Sequence, residues 1–177
     1  MPRDVLVRQT EEADLPAITA IYAEAVSAGA GSFELQAPNV TEMTRRWRKR
    51  VDKGYPHIVA TSGDAVIGYA YISRHRTSTA YRFLVENSIY VTSDAQGVGV
   101  GRALLTELIK LCEGLKFRQM IALIGDGNSA SVRLHDHLGF RQVGLIEGSA
   151  FKHGRWIDTV LMQRALGEGN ASSPREG

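Results

Sequence analysis

One acidic residue, Glu86, interrupts a segment that otherwise has the apolar, β-branched character of a strand, residues 85–91. A carboxylate in such a strand either faces solvent or is held in a cleft. In a cleft, loss of hydration raises the carboxyl pKa, so that the group can accept a proton from an ammonium ion near neutral pH. Glu86 is therefore a candidate general base. Ser88, in the same strand, either contacts a substrate or is a surface residue.

A glycine-rich loop follows this strand and precedes an apolar helical segment, with glycines at positions 97, 99 and 101. Its spacing matches neither the Walker loop, which ends in Gly-Lys-Ser/Thr, nor the dinucleotide-binding fingerprint G-x-G-x-x-G. The remaining pattern is Gln96-x-x-Gly99-x-Gly101. Backbone N–H groups in such a loop form an anion nest, to which the helix dipole and Arg102 add positive charge, so a pyrophosphate is the natural ligand. The alternative is a tight turn that only needs positive φ at glycine.

This loop resembles motif A of the GNAT acetyltransferases, in which it holds the pyrophosphate of acetyl-CoA. The block NSAS, then LH, then LGF within residues 128–140 is similar to a second signature of that family, with histidine in place of the usual tyrosine. The segment AYRFLVENSIYV, residues 80–91, resembles the A-Y-x-x-x-V-E-x-S-V-Y-V of phosphinothricin and methionine sulfoximine N-acetyltransferases, as do SVRLHDHLGF and the late KHGRWID. The resemblance extends from residue 7 to residue 164.

The resemblance implies acetyl-CoA as co-substrate and assigns three groups of residues to it. The backbone of one strand pairs with the pantetheine arm, the glycine loop holds the pyrophosphate, and two residues near the next helix contact pantetheine and phosphate. In that order these residues are Ile89, Tyr90 and Val91; Gln96, Gly97, Val98, Gly99, Val100, Gly101 and Arg102; and Asn128 and Ser131.

Two residues are candidates for catalysis. Glu86 corresponds to the general base of the resembled enzymes. His135 either protonates the leaving thiolate, which an imidazole can do near neutral pH, or packs against Asn128 or the cofactor. His135 and His137 do not form a metal-binding pair, because a two-residue step on a helix places side chains on different faces. We expect no metal.

Phe33, Arg76 and Arg82 are candidates for substrate binding. Arginine binds the carboxylate of a free amino acid with two parallel hydrogen bonds, and Phe33 would form a wall of the pocket. The alternative is two surface arginines and a core aromatic residue. Ser78 stands where the resembled enzymes often have a second arginine, which leaves the accepted acid open.

The resemblance implies N-acetylation of a small amino acid analogue, such as phosphinothricin or methionine sulfoximine, by a homodimer. Two alternatives remain. The first is an acetyltransferase for another amine, either a polyamine or a protein N-terminus. The second is a non-catalytic module that binds acyl-CoA.

The remaining sequence predicts the elements that position these residues. Hydrophobic periodicity and turn residues give the order β, α, α, β, β, β, α, β, α, β, β. We predict strands at residues 5–8, 57–61, 65–72, 85–91, 120–124, 140–146 and 156–163, and helices at 15–25, 43–51, 101–113 and 129–138. Gly114 is expected to cap the third helix. The order predicts an α+β (mixed α/β) fold with helices on both faces of the sheet, and the resemblance implies the GNAT fold, whose sheet is mixed and mostly antiparallel.

Composition narrows the class of protein. The length of 177 residues indicates one domain. The net charge of +2 is too small to support nucleic-acid binding. We assign residues 1–166 to this domain and residues 167–177, which are polar, to a disordered tail. No signal peptide and no apolar segment of membrane-spanning length is evident, so we expect a cytoplasmic protein without a membrane partner.

Two further features have structural interpretations. The basic run RRWRKR, residues 45–50, shares a helix with the apolar line Met43, Trp47 and Val51, so it is expected to be a solvated face rather than a nucleic-acid site. The single cysteine, Cys112, lies on the apolar side of the third helix. We expect it in the core, which disfavours a route through an acetylated cysteine.

Overall fold

The computed structural model describes residues 5–29 and 31–174. Seven strands and four helices make up this part of the chain. In chain order they are β1 (Val5–Gln9), α1 (Leu15–Ala28), α2 (Val40–Val51), β2 (His57–Ser62), β3 (Ala65–Arg74), β4 (Leu84–Val91), α3 (Val100–Gly114), β5 (Gln119–Gly125), α4 (Ser129–His137), β6 (Arg141–Lys152) and β7 (Arg155–Ala165).

The strands form one sheet in the order β1-β2-β3-β4-β5-β7-β6. Neighbouring strands are antiparallel except β4 and β5, which run parallel. The pairing of β4 with β5 extends only from Leu84↔Gln119 to Glu86↔Ile121, although β4 continues to Val91. The two strands therefore diverge after Glu86 and open a wedge in the middle of the sheet.

Two apolar layers hold the helices against the sheet. On one face, Leu15 and Tyr22 of α1 pack with Tyr69 of β3. On the other face, Leu104 and Leu108 of α3 join the buried side chains of the central strands. Burying a leucine of this kind contributes about 1.5–3 kcal/mol, so the layers fix the helices that border the wedge. The predicted architecture, a mixed and mostly antiparallel sheet with helices on both faces, is confirmed.

Most element ends differ from the sequence prediction by one to three residues, and two differences are more informative. Strand β6 continues to Lys152, well past the predicted end at residue 146, and its register with β7 shifts where the apolar alternation is lost. Gly114 does not cap α3 but is its last helical residue. The left-handed conformation falls instead at Lys116, with φ of 64°.

Residues 167–174, which the sequence analysis assigns to a disordered tail, lie in turns at the end of β7. The Arg118 guanidinium donates to the carbonyl oxygens of Gly169 and Ser172 at 2.8 Å and 2.7 Å. These contacts join the segment to Arg118, the residue before β5, and the disorder of the tail stays a prediction. Residues 175–177 of the predicted tail lie outside the described residues, and the single-domain boundary at residue 166 stays a prediction.

Candidate active site

A cavity of about 310 Å³ occupies the wedge between β4 and β5. It draws its walls from α1, the loop after α1, β3, β4, β5 and α4, so elements far apart in sequence meet there. Its lining includes Tyr22, Ser32, Phe33, Glu34, Tyr71, Glu86, Asn87, Ser88, Ile89, Tyr90, Asn128, Ser131 and His135. The cavity thus brings together the predicted catalytic pair, the α4 residues and three predicted strand residues, Ser88, Ile89 and Tyr90. Val91 is not part of the lining.

Glu86 lies at the point where the wedge opens. It is the last β4 residue paired with β5, opposite Ile121, and it faces Ser73 of β3 on its other side. Burial raises the pKa of its carboxyl group, and the His75 ring opposes this shift because its Nδ1 lies 3.7 Å from Oε2 of Glu86. A partly desolvated carboxylate beside an open cavity can accept a proton from a bound amine.

Asn87 is a site residue that the sequence analysis did not identify. Its side chain is 6% exposed, and its Nδ2 donates to the carbonyl oxygen of Ile121 at 3.0 Å. The side-chain amide thus provides a hydrogen-bond donor for a β5 carbonyl oxygen at the point where main-chain pairing between β4 and β5 ends. An asparagine inside an apolar strand is the signal that could have revealed it, since a buried amide requires partners.

His135 lies buried at the back of the same cavity, 3% exposed, with its ring edge-on to Phe140. Its Nδ1 is 2.8 Å from the carbonyl oxygen of Ser131, and its Nε2 is 3.0 Å from Oδ1 of Asn87. Both partners are oxygens, so a neutral ring can donate to only one of them at a time. Burial lowers the pKa of His135, which favours that neutral ring.

The glycine loop has the conformation that an anion nest requires. Gly97 and Gly99 have φ of 74° and 96°, and no atom lies within 4 Å of a β-carbon built at Gly97. Gly101 has a different role. It lies in α3, and a β-carbon there would come within 3.2 Å of Leu134, so its missing side chain allows α3 to pack on α4. The positive φ that the tight turn needs is therefore present, and the anion nest stays a prediction.

The rest of the loop is arranged around the start of α3. The Gln96 side chain donates to the carbonyl oxygen of Val91 at 3.2 Å and so fixes the loop to the end of β4. Val100 is buried, whereas Val98 and Arg102 are exposed. The first amides of a helix have no intrahelical acceptor, and the helix dipole makes this end positive, so the loop can hold a pyrophosphate.

Asn128 and Ser131 begin α4 and border the cavity. Asn128 is the N-cap, and its Oδ1 accepts a hydrogen bond from the Ser131 amide at 3.2 Å. The capping role expected from the sequence is present. The predicted contacts of both residues with acetyl-CoA stay predictions.

The far end of the cavity is built from polar groups on α1, the following loop and α2. The Tyr22 hydroxyl lies 2.9 Å from Oγ of Ser32 and donates to Oε1 of Glu34, also at 2.9 Å. Burial raises the pKa of Tyr22 to about 12, so the hydroxyl remains protonated. Arg46 donates to the same Glu34 oxygen at 2.6 Å. The sequence analysis did not identify Tyr22 as a site residue and assigned Arg46 to a solvated face, because contacts between separate elements leave no local pattern.

The substrate candidates divide between the cavity and the surface. Phe33 lines the cavity and lies close to Gly125, where a β-carbon would approach its ring to 3.2 Å. Arg76 and Arg82 are exposed and are not part of the cavity lining. Arg82 contacts the carbonyl oxygen of Thr79 and the ring of Phe83. Their predicted carboxylate-binding role stays a prediction.

Cys112 lies away from the cavity, and the described residues offer neither a metal site nor a membrane-spanning helix. Cys112 is fully buried in the α3 layer, and burial raises its thiol pKa to about 12, so its placement fits the predicted core role. Over residues 5–29 and 31–174, no group of three or more His, Cys, Asp or Glu side chains could hold a metal ion. In the same part of the chain, no helix combines the length and apolarity needed to cross a bilayer.

Comparison with known proteins places this site in a family. Residues 7–161 match the family described as Acetyltransferase (GNAT) domain. The chain is 51% identical over 169 residues to the phosphinothricin N-acetyltransferase of Alcaligenes faecalis, covering 95% of this chain and 86% of that protein. It is 35% identical over 162 residues to an L-methionine sulfoximine/L-methionine sulfone acetyltransferase of Salmonella typhimurium, covering 92% and 95%.

A solved structure of an acetyltransferase also resembles the fold of this chain. It is the GNAT superfamily phosphinothricin acetyltransferase of Sinorhizobium meliloti, crystallised in complex with acetyl-CoA. Its TM-score to this chain is 0.96 at 49% sequence identity, covering 100% of this chain and 95% of that one. The motifs, the wedge in the sheet and these matches agree, and the chain belongs to the GNAT acetyltransferase family.

Proposed function

We propose that this protein transfers the acetyl group of acetyl-CoA to the α-amine of a small amino acid analogue of the phosphinothricin or methionine sulfoximine type. One observation carries the proposal. Glu86, with its raised carboxyl pKa, lies beside the cavity where β4 leaves β5, and the strand beyond it leads directly to the open glycine loop. A base, a free strand edge and an anion nest therefore follow one another along a single stretch of chain.

The cofactor assignments follow this layout. Residues 89–91 offer the free edge of β4 to the pantetheine arm, in the manner of an added strand. The amides of residues 96–102 hold the pyrophosphate at the start of α3. Asn128 and Ser131 face the same cavity from α4, where they contact the pantetheine and the phosphates.

The acceptor enters the opposite end of the cavity. Glu86 lines it, and its carboxylate attracts the ammonium group of an amino acid, whereas Glu34 is already paired with Arg46. A volume of about 310 Å³ suits a small acceptor. Phe33 and Ser88 border this space, and Arg76 and Arg82 are the candidate partners of the acceptor carboxylate, a negative group that a polyamine lacks.

The proposed reaction needs no covalent enzyme intermediate. Glu86 takes one proton from the acceptor ammonium group and leaves a lone pair on nitrogen. Acetyl-CoA supplies a thioester, whose carbonyl carbon the nitrogen attacks and whose C–S bond breaks to release the thiolate of coenzyme A. A peptide N–H near Tyr90 or Val91 stabilises the oxyanion. To become an amide, the nitrogen also loses a second proton. His135 lines the cavity and, as a neutral ring, is the candidate to protonate the thiolate by relaying that proton, while its contact with Asn87 equally suits a positioning role.

We also propose that the protein acts as a cytoplasmic homodimer. Strand β6 is an edge of the sheet, and large apolar side chains are exposed along it and at the start of β7. These side chains are Val143, Leu145, Ile146, Phe151 and Trp156. An exposed apolar surface on a sheet edge favours association with a second copy of the chain.

Thiol release with purified protein tests the proposed activity. Phosphinothricin, methionine sulfoximine, a polyamine and a peptide with a free N-terminus serve as acceptors. We expect turnover with the two amino acid analogues. Turnover of the polyamine or the peptide alone would refute the acceptor class, and binding of acetyl-CoA without turnover of any amine would indicate a non-catalytic module.

The role of Glu86 is tested with Glu86→Gln. We expect calorimetry to give unchanged affinity for acetyl-CoA, while kcat falls about 10²–10⁴-fold, the range typical of a lost general base. Glu24→Gln, on the exposed side of α1, is the matched control and should keep full activity. Wild-type turnover by Glu86→Gln would remove Glu86 from the mechanism.

A further inference from the structure

The tip of the β6–β7 hairpin contains a buried cation that the proposed reaction does not use. Lys152, the first residue of the KHGRWID motif, is 2% exposed. Its Nζ donates to the carbonyl oxygen of Val26 and to that of Ser32, both at 2.8 Å. These acceptors precede it by 126 and 120 residues, so the lysine joins the end of the chain to its beginning.

The two carbonyl groups belong to the structure that borders the acceptor end of the cavity. Val26 lies in the last turn of α1, where carbonyl oxygens lack intrahelical partners and the helix dipole is negative. Ser32 lies in the segment of residues 31–34, which follows α1 and lines the cavity. An ammonium group that donates to both fixes this segment relative to the helix end. Burial lowers the pKa of Lys152, and the negative charge of Glu34 opposes this shift, while the two carbonyl oxygens accept hydrogen bonds from the ammonium group.

Other contacts of the hairpin tip act in the same direction. The His153 ring lies against Gly29, where a β-carbon would come within 3.0 Å of the ring. Gly29 has φ of 84° and ends α1, so glycine serves both the turn and this close approach. Arg155 forms an ion pair with Asp126, next to the α4 N-cap. The hairpin tip therefore touches loops on two sides of the cavity.

We propose that Lys152 is a positioning residue that holds residues 31–34 in place as the wall of the acceptor site. It does not itself line the cavity, and it acts through the Ser32 carbonyl. The held segment presents Oγ of Ser32 to Tyr22 and places Phe33 against Gly125. The inference rests on the proposed function, because it assigns this end of the cavity to the amine acceptor.

Steady-state kinetics of Lys152→Met test this role, since methionine keeps the unbranched shape and most of the length of the side chain without the charge or the donors. We expect the KM for the amino acid acceptor to rise about tenfold, while kcat and the KM for acetyl-CoA change less than about twofold. Lys152→Arg, which keeps charge and donors, should restore much of the acceptor affinity. Lys110→Met, on an α3 lysine whose side chain is 78% exposed, is the matched control.

A fall in kcat with unchanged acceptor KM would overturn the proposal, as would an equal rise in the KM for acetyl-CoA. If Lys152→Met does not fold, Lys152→Gln provides the test, because its amide still donates a hydrogen bond and no charge is buried. Hydrogen–deuterium exchange supplies a second readout. Amides of residues 31–34 should exchange faster in the variant, while those of residues 96–102 keep the wild-type rate.

The two proposals fail in different ways. Absence of thiol release by the wild-type protein with every amino acid analogue would refute the proposed function. Exchange at residues 31–34 that is unchanged in both the methionine and glutamine variants would refute the role of Lys152, whether or not the wild-type protein is active.

Discussion

His75 offers a direct test of how the protein sets the basicity of its candidate general base. The Nδ1 atom of this ring lies 3.7 Å from Oε2 of Glu86, and both side chains keep about a quarter of their surface in water. At that distance a protonated imidazole and a carboxylate attract by about 1 kcal/mol in a water-like dielectric and by about 4 kcal/mol at an effective constant near 20. Because both side chains are partly exposed, the attraction between His75 and Glu86 should lie closer to the lower of these two energies. Because the His75 ring lowers the Glu86 pKa through its hydrogen bond and its charge, removing the ring should raise that pKa.

The assay is the pH dependence of kcat/KM for His75→Gln. A general base works only when deprotonated, so activity rises with pH through the pKa of Glu86. Burial already raises this pKa, and the variant lacks the His75 charge that opposes the shift. We therefore expect the acidic limb to move to higher pH, with wild-type activity recovered on the alkaline side. His137→Gln, on an exposed α4 histidine, should leave the profile unchanged. An acidic limb that stays in place, or moves to lower pH, would refute the electrostatic role of His75.

Two further predictions concern stability and assembly. His57 is buried, its Nδ1 lies 2.8 Å from Oγ1 of Thr10, and burial lowers its pKa to about 3. The folded state therefore binds fewer protons than the unfolded chain, and the free energy of unfolding should fall as pH drops from about 6.5 toward 3, by up to about 1.4 kcal/mol per pH unit. Urea unfolding of His57→Phe at pH 7 and pH 5 should show a smaller change in this free energy than the wild-type protein shows. An equal change in both proteins would contradict the prediction. Sedimentation velocity should show a dimer that Trp156→Ser weakens, and a monomeric wild-type protein would contradict the assignment of the β6–β7 surface.

The sequence alone was sufficient to predict those features of the structure that a local residue pattern determines. The order of strands and helices follows from residue periodicity. The Gln96–Gly101 spacing indicated where the chain turns with positive φ, at Gly97 and Gly99, because glycine permits backbone conformations that other residues resist. GNAT membership, which those motifs suggested, is confirmed. Glu86 stood out because a charge inside an apolar strand requires a reason, and the structure places it on the cavity. Its assignment as the base stays a prediction.

Other parts of the site depend on contacts between elements distant in sequence. No local pattern indicates that Lys152 binds carbonyl groups at the end of α1. The same is true of Arg46, which the helical pattern assigned to a solvated face but which pairs with Glu34 at the cavity wall. Conversely, Arg76 and Arg82 were selected for the chemistry of arginine and for the resemblance, and the structure places them outside the cavity lining. Residue type indicates what a side chain can bind, whereas the tertiary fold decides where it can bind it.

Asn87 shows why the wedge opens at a particular residue. Parallel strands continue as long as each carbonyl oxygen and N–H group finds a partner on the neighbouring strand. At the end of the β4–β5 pairing, the Asn87 side chain donates to the Ile121 carbonyl oxygen and so satisfies it without a further main-chain contact. Oδ1 of the same amide meets the His135 ring, which connects this point to α4. Strand β4 can then leave β5 without exposing an unpaired buried group, and its freed edge becomes available to a ligand.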